Sequence, residues 1–541
     1  MTWLAETAML SHGWRRFALV VFAGVLAGLS IAPLFVLPAL FIALPVWVWC
    51  LDGAEQRKGV FRRLFGPAFR IGFGFGTGYF TVSFHWLGTA FFADGGPILW
   101  LMPFAIVGLA MLIALFWGLA SALAFAFWSN GPWRIVTLAS ALALFEWLRG
   151  HLFTGFPFDL LGYGLTATDE MAQLASVIGV YGLTLLAALL GMTPALIWPG
   201  DGRPLARRLA PFFLALLAIA GQVGFGAWRL SSTPVETRTD IRLRLVQPMV
   251  NEHTNWENAR PADIISRLVD LSSAKTGPGD PGLDAITHLV WPESSLPFFL
   301  SQYPEAYARI ARMLPPNTLL LTGAAREDYG KSEAAPGAST PAYNAVLAIN
   351  TEGEVVASYD KSHLVPFGEY LPFPELFAAM GLRQFVPGAD GWIAGDGRRL
   401  MAPPGSPAFL ALICYEMIFS GDLGSEIKDA EFLFNITNDS WFDGSIGPAQ
   451  HAQHARLRAV EEGLPLVRAA NSGLTFLTDP LGRVTASLAP GQTGVLDVVP
   501  AQRLEATWFS RLGYWPFWGA EFLGLLIALA SARASRRAVA K

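Results

Sequence analysis

The stretch Leu410-Ala411-Leu412-Ile413-Cys414-Tyr415-Glu416 is a short apolar run that ends in a thiol and a carboxylate. An apolar run of this length predicts a buried β-strand, with the reactive side chain at its carboxyl end. Two other segments have the same form, Leu289-Val290-Trp291-Pro292-Glu293 and Val356-Ala357-Ser358-Tyr359-Asp360-Lys361. The sequence therefore predicts three strands that end at Glu293, Lys361 and Cys414.

Around these segments, strand and helix patterns follow one another from about residue 240 onward. Ile241, Leu243 and Leu245 alternate with two arginines, which indicates a strand. Thr351-Glu352-Gly353 and Asp479-Pro480-Leu481-Gly482 are predicted tight turns between strands. Further strands are predicted at 286–292, 318–324, 343–349, 354–359, 408–415, 432–437, 465–470, 473–478 and 493–498, and helices at about 260–274, 302–313 and 448–463. This mixture predicts an α/β layered domain.

A carboxylate, an amine and a thiol are together sufficient for thiol-based acyl transfer. The thiolate of Cys414 would be the nucleophile, and a neighbouring cation such as Lys361 lowers the pKa of a thiol. A carboxylate such as Glu293 can take the thiol proton and return it to the leaving group. The ammonium can also stabilise the oxyanion of the tetrahedral intermediate. Each residue alone is more often structural, so the prediction depends on the combination.

The rest of the chain is unusually apolar. Of the 541 residues, 53% are hydrophobic and 15% are charged, whereas soluble domains contain about 25% charged residues. A membrane-spanning helix needs about 20 mostly apolar residues. Eight such spans are predicted, at approximately 17–34, 35–52, 69–92, 97–128, 135–151, 173–198, 209–229 and 513–533. We expect a seven-span bundle (1–230), an extramembrane catalytic domain (231–505), and an eighth span with a basic tail (506–541).

Basic residues indicate how these spans are oriented. With eight spans, all the basic clusters fall on one side of the membrane, and the positive-inside rule makes that side cytoplasmic. The loops near 92–97 and 152–172, on the other side, contain no Lys or Arg. Both termini are then cytoplasmic, and the α/β domain is periplasmic if the membrane is a bacterial inner membrane. The clusters are Arg15 and Arg16; Arg57, Lys58, Arg62, Arg63 and Arg70; Arg134; Arg203, Arg207 and Arg208; and Arg533, Arg536, Arg537 and Lys541.

Composition argues against several other classes of function. The net charge of −4 gives no indication of nucleic-acid binding. Two cysteines, Cys50 and Cys414, do not suggest a disulfide framework or a metal site. His451 and His454 are three residues apart but have no surrounding set of cysteine or acidic ligands in the sequence, so we expect no metal. Cys50 lies in the second predicted span and is interpreted as an inert apolar residue.

The motifs around the three reactive residues resemble those of the nitrilase, or carbon–nitrogen hydrolase, superfamily. Placed between seven spans and one terminal span, they are similar to the apolipoprotein N-acyltransferase family. The resemblance covers nearly the whole chain and implies an αββα sandwich with a Glu-Lys-Cys triad, carried on an α-helical membrane bundle. The motifs are Trp291-Pro292-Glu293-Ser294, Tyr359 to Glu369 (Tyr-Asp-Lys-Ser-His-Leu-Val-Pro-Phe-Gly-Glu), Ile413 to Glu416, Phe145 to Gly150 with Thr154 to Pro157, and Asn438 to Phe442 with Gly447 to His451.

The reaction that this resemblance implies has two steps and needs no cofactor. Cys414 would attack an ester of a phospholipid, with phosphatidylethanolamine as the expected donor, and form a thioester and a lysophospholipid. The α-amino group of a diacylglyceryl-cysteine at the N-terminus of an apolipoprotein would then take the acyl chain. A thioester keeps enough acyl-transfer potential for aminolysis without ATP, provided that water is kept away from it. We expect the enzyme to act as a monomer.

The resemblance also implies roles for individual residues. Glu293 would be the general base, Lys361 would stabilise the oxyanion and the thiolate, and Cys414 would be the nucleophile. Glu369 would position Lys361 or the incoming amine. The remaining residues expected at the substrate site are Tyr415 and Glu416, which would shape the pocket beside the thiol, and Trp256 and Trp441, on loops that would contact substrate.

Two pairs of interpretations stay open at this point. The apolar segments Leu296–Leu300 and Leu371–Phe377 either dip towards the bilayer and admit acyl chains, or pack into the domain core. Glu146 and Arg149, three residues apart in the fifth predicted span, either form a structural ion pair or belong to a lipid head-group site.

Two other functions use the same residues. A membrane-tethered amidase or nitrilase would employ the triad but give the second step to water, and the eight spans would then have no obvious task. A non-catalytic lipoprotein-binding factor would not require an intact Glu-Lys-Cys set. An acyltransferase would pass the acyl chain from Cys414 to an amine. A hydrolase would release free acid or ammonia, and a binding factor would form no adduct on Cys414.

Overall fold

Secondary structure separates the chain into a helical part and an α/β part. The computed structural model describes residues 1–55, 64–92, 99–200, 202–250, 260–275, 277, 279–327, 342–372 and 392–539. Two compact units are present, one formed by Met1–Thr233 with Thr507–Lys541 and the other by Pro234–Ala506. The α/β part is therefore inserted between the last two long helices of the helical unit.

A helix of the helical unit overlaps each of the eight predicted spans. Four helical segments in the described ranges are long and apolar enough to cross a membrane: Leu99–Ala126, Ala175–Leu196, Leu205–Ser232 and Trp515–Arg537. Leu37–Asp52 is a shorter apolar helix, so the count of eight spans stays a prediction. The helices are α1 (Thr2–Leu10), α2 (Gly13–Gly28), α3 (Leu40–Asp52), α4 (Pro67–Phe84), α5 (Met102–Ala126), α6 (Arg134–His151), α7 (Asp169–Ala172), α8 (Ala175–Met192), α9 (Leu205–Ser232), α13 (Trp508–Leu512) and α14 (Trp515–Val539).

Glycines allow α2 and α4 to approach each other closely. A Cβ added to Gly24 would lie 1.9 Å from the carbonyl oxygen of Phe75, and one added to Gly78 would lie 2.0 Å from that of Val21. Any side chain at either position would force the two backbones apart. Small residues serve this purpose in membrane proteins because lipid supplies no hydrophobic force between helices.

The buried pair Glu146–Arg149 is fully engaged inside the helical unit. Arg149 donates from Nε to Glu146 Oε1 at 2.8 Å and from Nη2 to Glu146 Oε2 at 2.9 Å. Its Nη1 donates to the carbonyls of Phe156 and Phe158 at 2.6 and 2.8 Å. Trp117 Nε1 donates to Glu146 Oε1 at 2.7 Å. These contacts favour the structural interpretation, in which the pair ties α6 to the segment that follows it.

The α/β unit has four layers, and the predicted αββα sandwich is confirmed. One sheet has the strand order β12-β1-β2-β3-β4-β5 and the other β11-β10-β9-β8-β7-β6. The strands are β1 (Leu243–Gln247), β2 (His288–Phe299), β3 (Leu319–Glu327), β4 (Ala342–Ile349), β5 (Val355–Asp360), β6 (Leu400–Met401), β7 (Phe409–Ile413), β8 (Phe432–Thr437), β9 (Leu466–Ala470), β10 (Thr475–Thr478), β11 (Val484–Leu488) and β12 (Gly494–Val498).

The sheets face each other across an apolar core. Val290 and Leu321 from the first sheet and Ile413 and Phe434 from the second belong to this core. Helices α10 (Pro261–Ser272) and α11 (Pro304–Met313) pack on the outer face of the first sheet, and α12 (Gly447–Glu462) packs on that of the second. Strands buried on both faces have continuous apolar sequences, which is why the sequence predicts most of them.

The segment Leu296–Leu300 packs into the α/β unit. Most of it belongs to β2, and Leu296 and Leu300 are buried in the core beneath α10 and α11. Phe298 packs against Tyr303, with ring centroids 5.0 Å apart. The core interpretation therefore applies here. Of the second segment, the part beyond Pro372 lies outside the described residues.

The Glu146–Arg149 pair yields a stability prediction. Glu146→Gln leaves the buried guanidinium of Arg149 without its countercharge, which costs about 3 to 5 kcal/mol for a buried ion pair. We expect a clear fall in the thermal unfolding temperature of the detergent-solubilised protein, measured by tryptophan fluorescence. Arg207→Gln removes an exposed charge from the same unit and should leave that temperature unchanged. Equal unfolding temperatures for both variants would contradict the structural assignment.

Candidate active site

Cys414 sits at a sharp turn between β7 and the 3-10 helix Cys414–Ile418. Its backbone φ is +49°, in the left-handed region that side chains other than glycine rarely adopt, at a cost of about 1 to 3 kcal/mol. The residue is partly exposed. A strained backbone conformation persists only when surrounding contacts hold the residue in place. Here hydrogen bonds hold the main chain at Ile413 and at Cys414, one on each side of the turn.

Glu416 ties this turn to the segment that carries Lys361. Its carboxylate is fully buried, and Oε2 accepts a hydrogen bond from the main-chain N of Ile413 at 2.8 Å. Oε1 accepts from the hydroxyl of Tyr359 at 2.8 Å, from the main-chain N and the hydroxyl of Ser362 at 2.9 and 2.8 Å, and from the main-chain N of His363 at 3.1 Å. These contacts favour a role in fixing strand ends over the expected role of lining a pocket.

Lys361 follows β5 and lies between two carboxylates. Its Nζ donates to Glu369 Oε1 at 2.7 Å and is 3.6 Å from Glu293 Oε1. Asn344 on β4 joins the same group, because its Nδ2 donates to Glu293 Oε1 at 2.8 Å and to Glu369 Oε1 at 3.2 Å. The main-chain N of Asn438 donates to Glu293 Oε2 at 2.8 Å. Both carboxylates are therefore held by donors other than the lysine.

Electrostatics connects this cluster to the thiol. Burial raises the pKa of Glu293, although Lys361 opposes the effect. Burial alone lowers the pKa of Lys361, but the charges of Glu369, Glu293 and Cys414 outweigh it and raise that pKa above its usual range. Burial, together with Glu293, raises the pKa of the Cys414 thiol, and Lys361 offsets this only in part. The resting residue is thus a neutral thiol rather than a thiolate formed by Lys361.

A second polar network lies behind the nucleophile. The side chain of His451 on α12 places Nδ1 3.0 Å from Asp439 Oδ1 and Nε2 3.1 Å from the carbonyl oxygen of Cys414. Arg468 on β9 donates from Nη2 to Asp439 Oδ2 at 2.9 Å. Burial would raise the pKa of Asp439, but Arg468 and His451 outweigh it and hold that pKa at about 2. Asp439 is therefore an anion.

Cys414, Asp439 and His451 have the residue types of a metal-binding group, with ligand atoms within 4.8 Å of one another. Arg468, however, already supplies a positive charge to the Asp439 carboxylate. The same guanidinium lies 3.2 Å from His451 Nδ1, and Thr437 donates to Asp439 Oδ1. The chemistry of the group therefore fits a hydrogen-bond network better than a cation site.

The structure gathers most of the residues that the sequence singles out. Glu293, Lys361, Glu369 and Cys414 form the cluster described above. Tyr415 is buried and packs against the rings of His363 and Phe419, with centroids 5.8 and 5.2 Å away. Trp441 lies in the 3-10 helix Ser440–Phe442, shortly after Asp439, and is partly exposed. Trp256 falls outside the described residues.

Three residues of this region, Asn344, Asp439 and His451, are not predicted from the sequence as site residues. Asn344 is an isolated amide in an otherwise apolar strand, and a buried amide in such a position needs a polar partner, which is a signal that the sequence contains. Asp439 and His451 belong to motifs that already carry the family resemblance, but they are twelve residues apart. Only the fold brings their side chains together, shortly after β8 and near the start of α12.

The position of Lys361 predicts how the thiol reacts with a small electrophile. Lys361→Met removes the cation that favours the thiolate, so alkylation of Cys414 by iodoacetamide at pH 8 should slow by about tenfold, the effect of one pKa unit. The rate is measured by mass spectrometry in a Cys50→Ala background, which leaves Cys414 as the single thiol. Lys275→Met changes an exposed lysine and serves as the control. Unchanged or faster alkylation in Lys361→Met would contradict this electrostatic account.

Comparison with known proteins agrees with this architecture. Residues 23–193 match a family model described as the apolipoprotein N-acyltransferase N-terminal domain, and residues 283–504 match one described as carbon-nitrogen hydrolase. The apolipoprotein N-acyltransferase of Rhodopseudomonas palustris is 41% identical over 514 residues, which cover 95% of this chain and 94% of that protein. The one from Bradyrhizobium diazoefficiens is 40% identical over 541 residues, covering 99% and 98%.

Among solved structures, an amidase from Nesterenkonia sp. superposes on 51% of this chain and 95% of its own, with 16% identity and a TM-score of 0.32. The relatives by sequence, in contrast, span both units at about 40% identity. The chain belongs to the apolipoprotein N-acyltransferase family.

Proposed function

We propose that this protein transfers an acyl chain from a phospholipid, through a thioester on Cys414, to the N-terminal amine of diacylglyceryl-cysteine on apolipoproteins. Phosphatidylethanolamine is the donor that we favour, and the enzyme acts as a monomer. The observation that carries the proposal is the buried pair Glu293 and Lys361, 3.6 Å apart, which interacts electrostatically with the partly exposed Cys414. Family membership supplies the nature of the substrates, a lipid and a lipoprotein.

In the first step the thiol becomes a nucleophile only as it attacks. Glu293 accepts the proton of Cys414 while the sulfur adds to the ester carbonyl, and Lys361 stabilises the oxyanion that develops. The intermediate collapses with cleavage of the carbon–oxygen bond, and Glu293 returns the proton to the departing alkoxide. The products are a thioester on Cys414 and a lysophospholipid. A thiol with a raised pKa suits this order of events, because it does not ionise before a substrate is present.

In the second step the lipoprotein amine attacks the thioester. Glu293 takes a proton from the amine nitrogen, the carbon–sulfur bond breaks, and the proton passes to the sulfur, so that an amide forms and the Cys414 thiol is restored. Glu369 accepts a hydrogen bond from Lys361 Nζ and keeps the ammonium in place. Tyr415, Trp441 and Trp256 are proposed to contact the acyl and peptide parts of the substrates, and Glu416 to hold the turn beneath them.

We further propose the membrane arrangement that the basic residues indicate. The protein resides in a bacterial inner membrane, with both termini cytoplasmic and the α/β unit in the periplasm. The long apolar helices of the first unit support a membrane location, and the clusters of Arg and Lys in alternate loops support the orientation. The functional boundaries that we propose are 1–230, 231–505 and 506–541.

Two findings favour acyl transfer over hydrolysis of a carbon–nitrogen bond or simple lipoprotein binding. The full-length relatives are named N-acyltransferases, and the helical unit matches a model specific to that family. The complete Glu-Lys-Cys set argues against a purely binding role.

A direct test uses the purified full-length protein with radiolabelled phosphatidylethanolamine and a diacylated lipopeptide. We expect label on Cys414 as a hydroxylamine-sensitive adduct, followed by its transfer to the lipopeptide amine. Cys414→Ala should lose both signals, whereas Cys50→Ala should retain both. Release of label as free fatty acid, unaffected by lipopeptide, would indicate a hydrolase. Absence of any adduct would indicate a binding protein.

The pH dependence of thioester formation follows from the raised pKa of Glu293. The base must be a carboxylate, so activity is retained above this pKa and is lost as pH falls through it. The acidic limb of the rate profile should therefore lie above the ordinary glutamate value of about 4.3. Asn344→Leu removes a hydrogen bond that favours the carboxylate and should move this limb to higher pH. Asn350→Leu, in the turn after the same strand, should leave the limb in place; identical limbs in all three proteins would exclude Glu293 as the titrating base.

A further inference from the structure

His451 contacts the nucleophile through the main chain rather than through the thiol. Its Nε2 faces the carbonyl oxygen of Cys414 at 3.1 Å. A carbonyl oxygen only accepts hydrogen bonds, so Nε2 carries a proton and donates a hydrogen bond to this oxygen. Its Nδ1 faces Asp439 Oδ1 at 3.0 Å and Arg468 Nη2 at 3.2 Å. The ring is thereby fixed at both nitrogens, and its orientation is determined by a buried ion pair.

That ion pair is itself anchored to the strands that carry the site. Arg468 donates to Asp439 Oδ2 at 2.9 Å and also to Asn435 Oδ1. Asn435 Nδ2 donates to the carbonyl of Leu412 at 2.9 Å, two residues before the nucleophile. Thr437 donates its hydroxyl to Asp439 Oδ1 at 3.1 Å. The network therefore joins β7, β8, β9 and α12 beside Cys414.

The hydrogen bond from His451 is one of two that hold the strained turn at Cys414, one on each side of the residue. On the preceding side, Glu416 holds the main-chain N of Ile413. On the following side, His451 holds the carbonyl of Cys414 itself. Because φ of Cys414 is +49°, release of that carbonyl would allow the peptide to rotate towards a less strained conformation, and the side chain would turn with it.

We propose that His451 is a positioning residue for acyl transfer, which holds the Cys414 carbonyl and so keeps the thiol directed at Glu293 and Lys361. This inference rests on the proposed thioester chemistry at Cys414. The proton on Nε2 stays on the ring throughout the reaction. Asp439 and Arg468 contribute indirectly, because they fix the ring of His451.

The experiment compares three variants of the full-length enzyme. His451→Leu keeps the approximate size of the side chain but removes the donor, His451→Gln keeps a donor near the position of Nε2, and Leu457→Ala truncates a fully buried residue of the same helix that has no place in the proposed chemistry. Single-turnover formation of the Cys414 thioester is measured against phospholipid concentration. The unfolding temperature and the final extent of iodoacetamide alkylation are measured alongside.

We expect His451→Leu to slow the maximal rate of thioester formation by about 10- to 100-fold, with KM changed by less than about twofold, as expected for loss of one buried hydrogen bond. His451→Gln should recover most of this rate. Leu457→Ala should lower the unfolding temperature at least as much as His451→Leu and yet keep the maximal rate within about twofold of wild type. Excess reagent should alkylate Cys414 to completion in all four proteins. Complete alkylation shows that the thiol is intact, so a slower thioester step in His451→Leu reflects the position of the thiol.

Three results would overturn the inference: a wild-type rate in His451→Leu, no recovery in His451→Gln, or a loss of rate in Leu457→Ala that matches its loss of stability. The proposed function fails in a different manner, because wild-type enzyme would then form no thioester at all. That outcome would refute the inference together with the function on which it rests.

Discussion

One buried ammonium organises the catalytic centre. Lys361 is almost inaccessible to solvent, and an isolated charge in that environment carries a desolvation penalty of several kcal/mol. Glu369 and Glu293 provide the compensating charge, and Asn344 hydrogen-bonds both carboxylates. Burial and Glu293 together raise the pKa of the Cys414 thiol, and Lys361 offsets this only in part. The nucleophile therefore depends on a base at the moment of attack.

The sequence predicts the parts of this centre that end in a reactive side chain. Glu293, Lys361 and Cys414 each follow an apolar run, and strands buried on both faces have a continuous apolar pattern that is easily recognised. β6 and β11 are absent from the sequence prediction, because β6 has two residues and β11 is largely exposed. Neither contributes to the cluster around the lysine.

The electrostatic state of the site could not be predicted in the same manner. From sequence, Lys361 is expected to lower the pKa of the thiol, and it does so, but burial and Glu293 have the larger combined effect. Such a balance depends on distances and on burial, neither of which spacing along the chain encodes. Glu416 illustrates the same limit: it is adjacent to Tyr415 in sequence, but its five hydrogen bonds to Tyr359, Ser362, His363 and Ile413 depend on the fold. The count of eight spans also stays a prediction, because only four of the described helical segments are long and apolar enough to cross a membrane.

The pairing of β1 with β12 links two strands from opposite ends of the α/β unit. Leu243 pairs with Val498, and the bridge between Thr237 and Ala501 continues the pairing towards the two linkers. Because β1 begins this unit and β12 ends it, the outer edge of the first sheet stays open until almost the whole unit has been synthesised. An unpaired edge strand is a site of aggregation, and contacts this distant in sequence form slowly. Biogenesis of the enzyme therefore includes an interval in which β1 has to be shielded, and a truncation that removes only β12 would expose that edge permanently while leaving every catalytic residue in the chain.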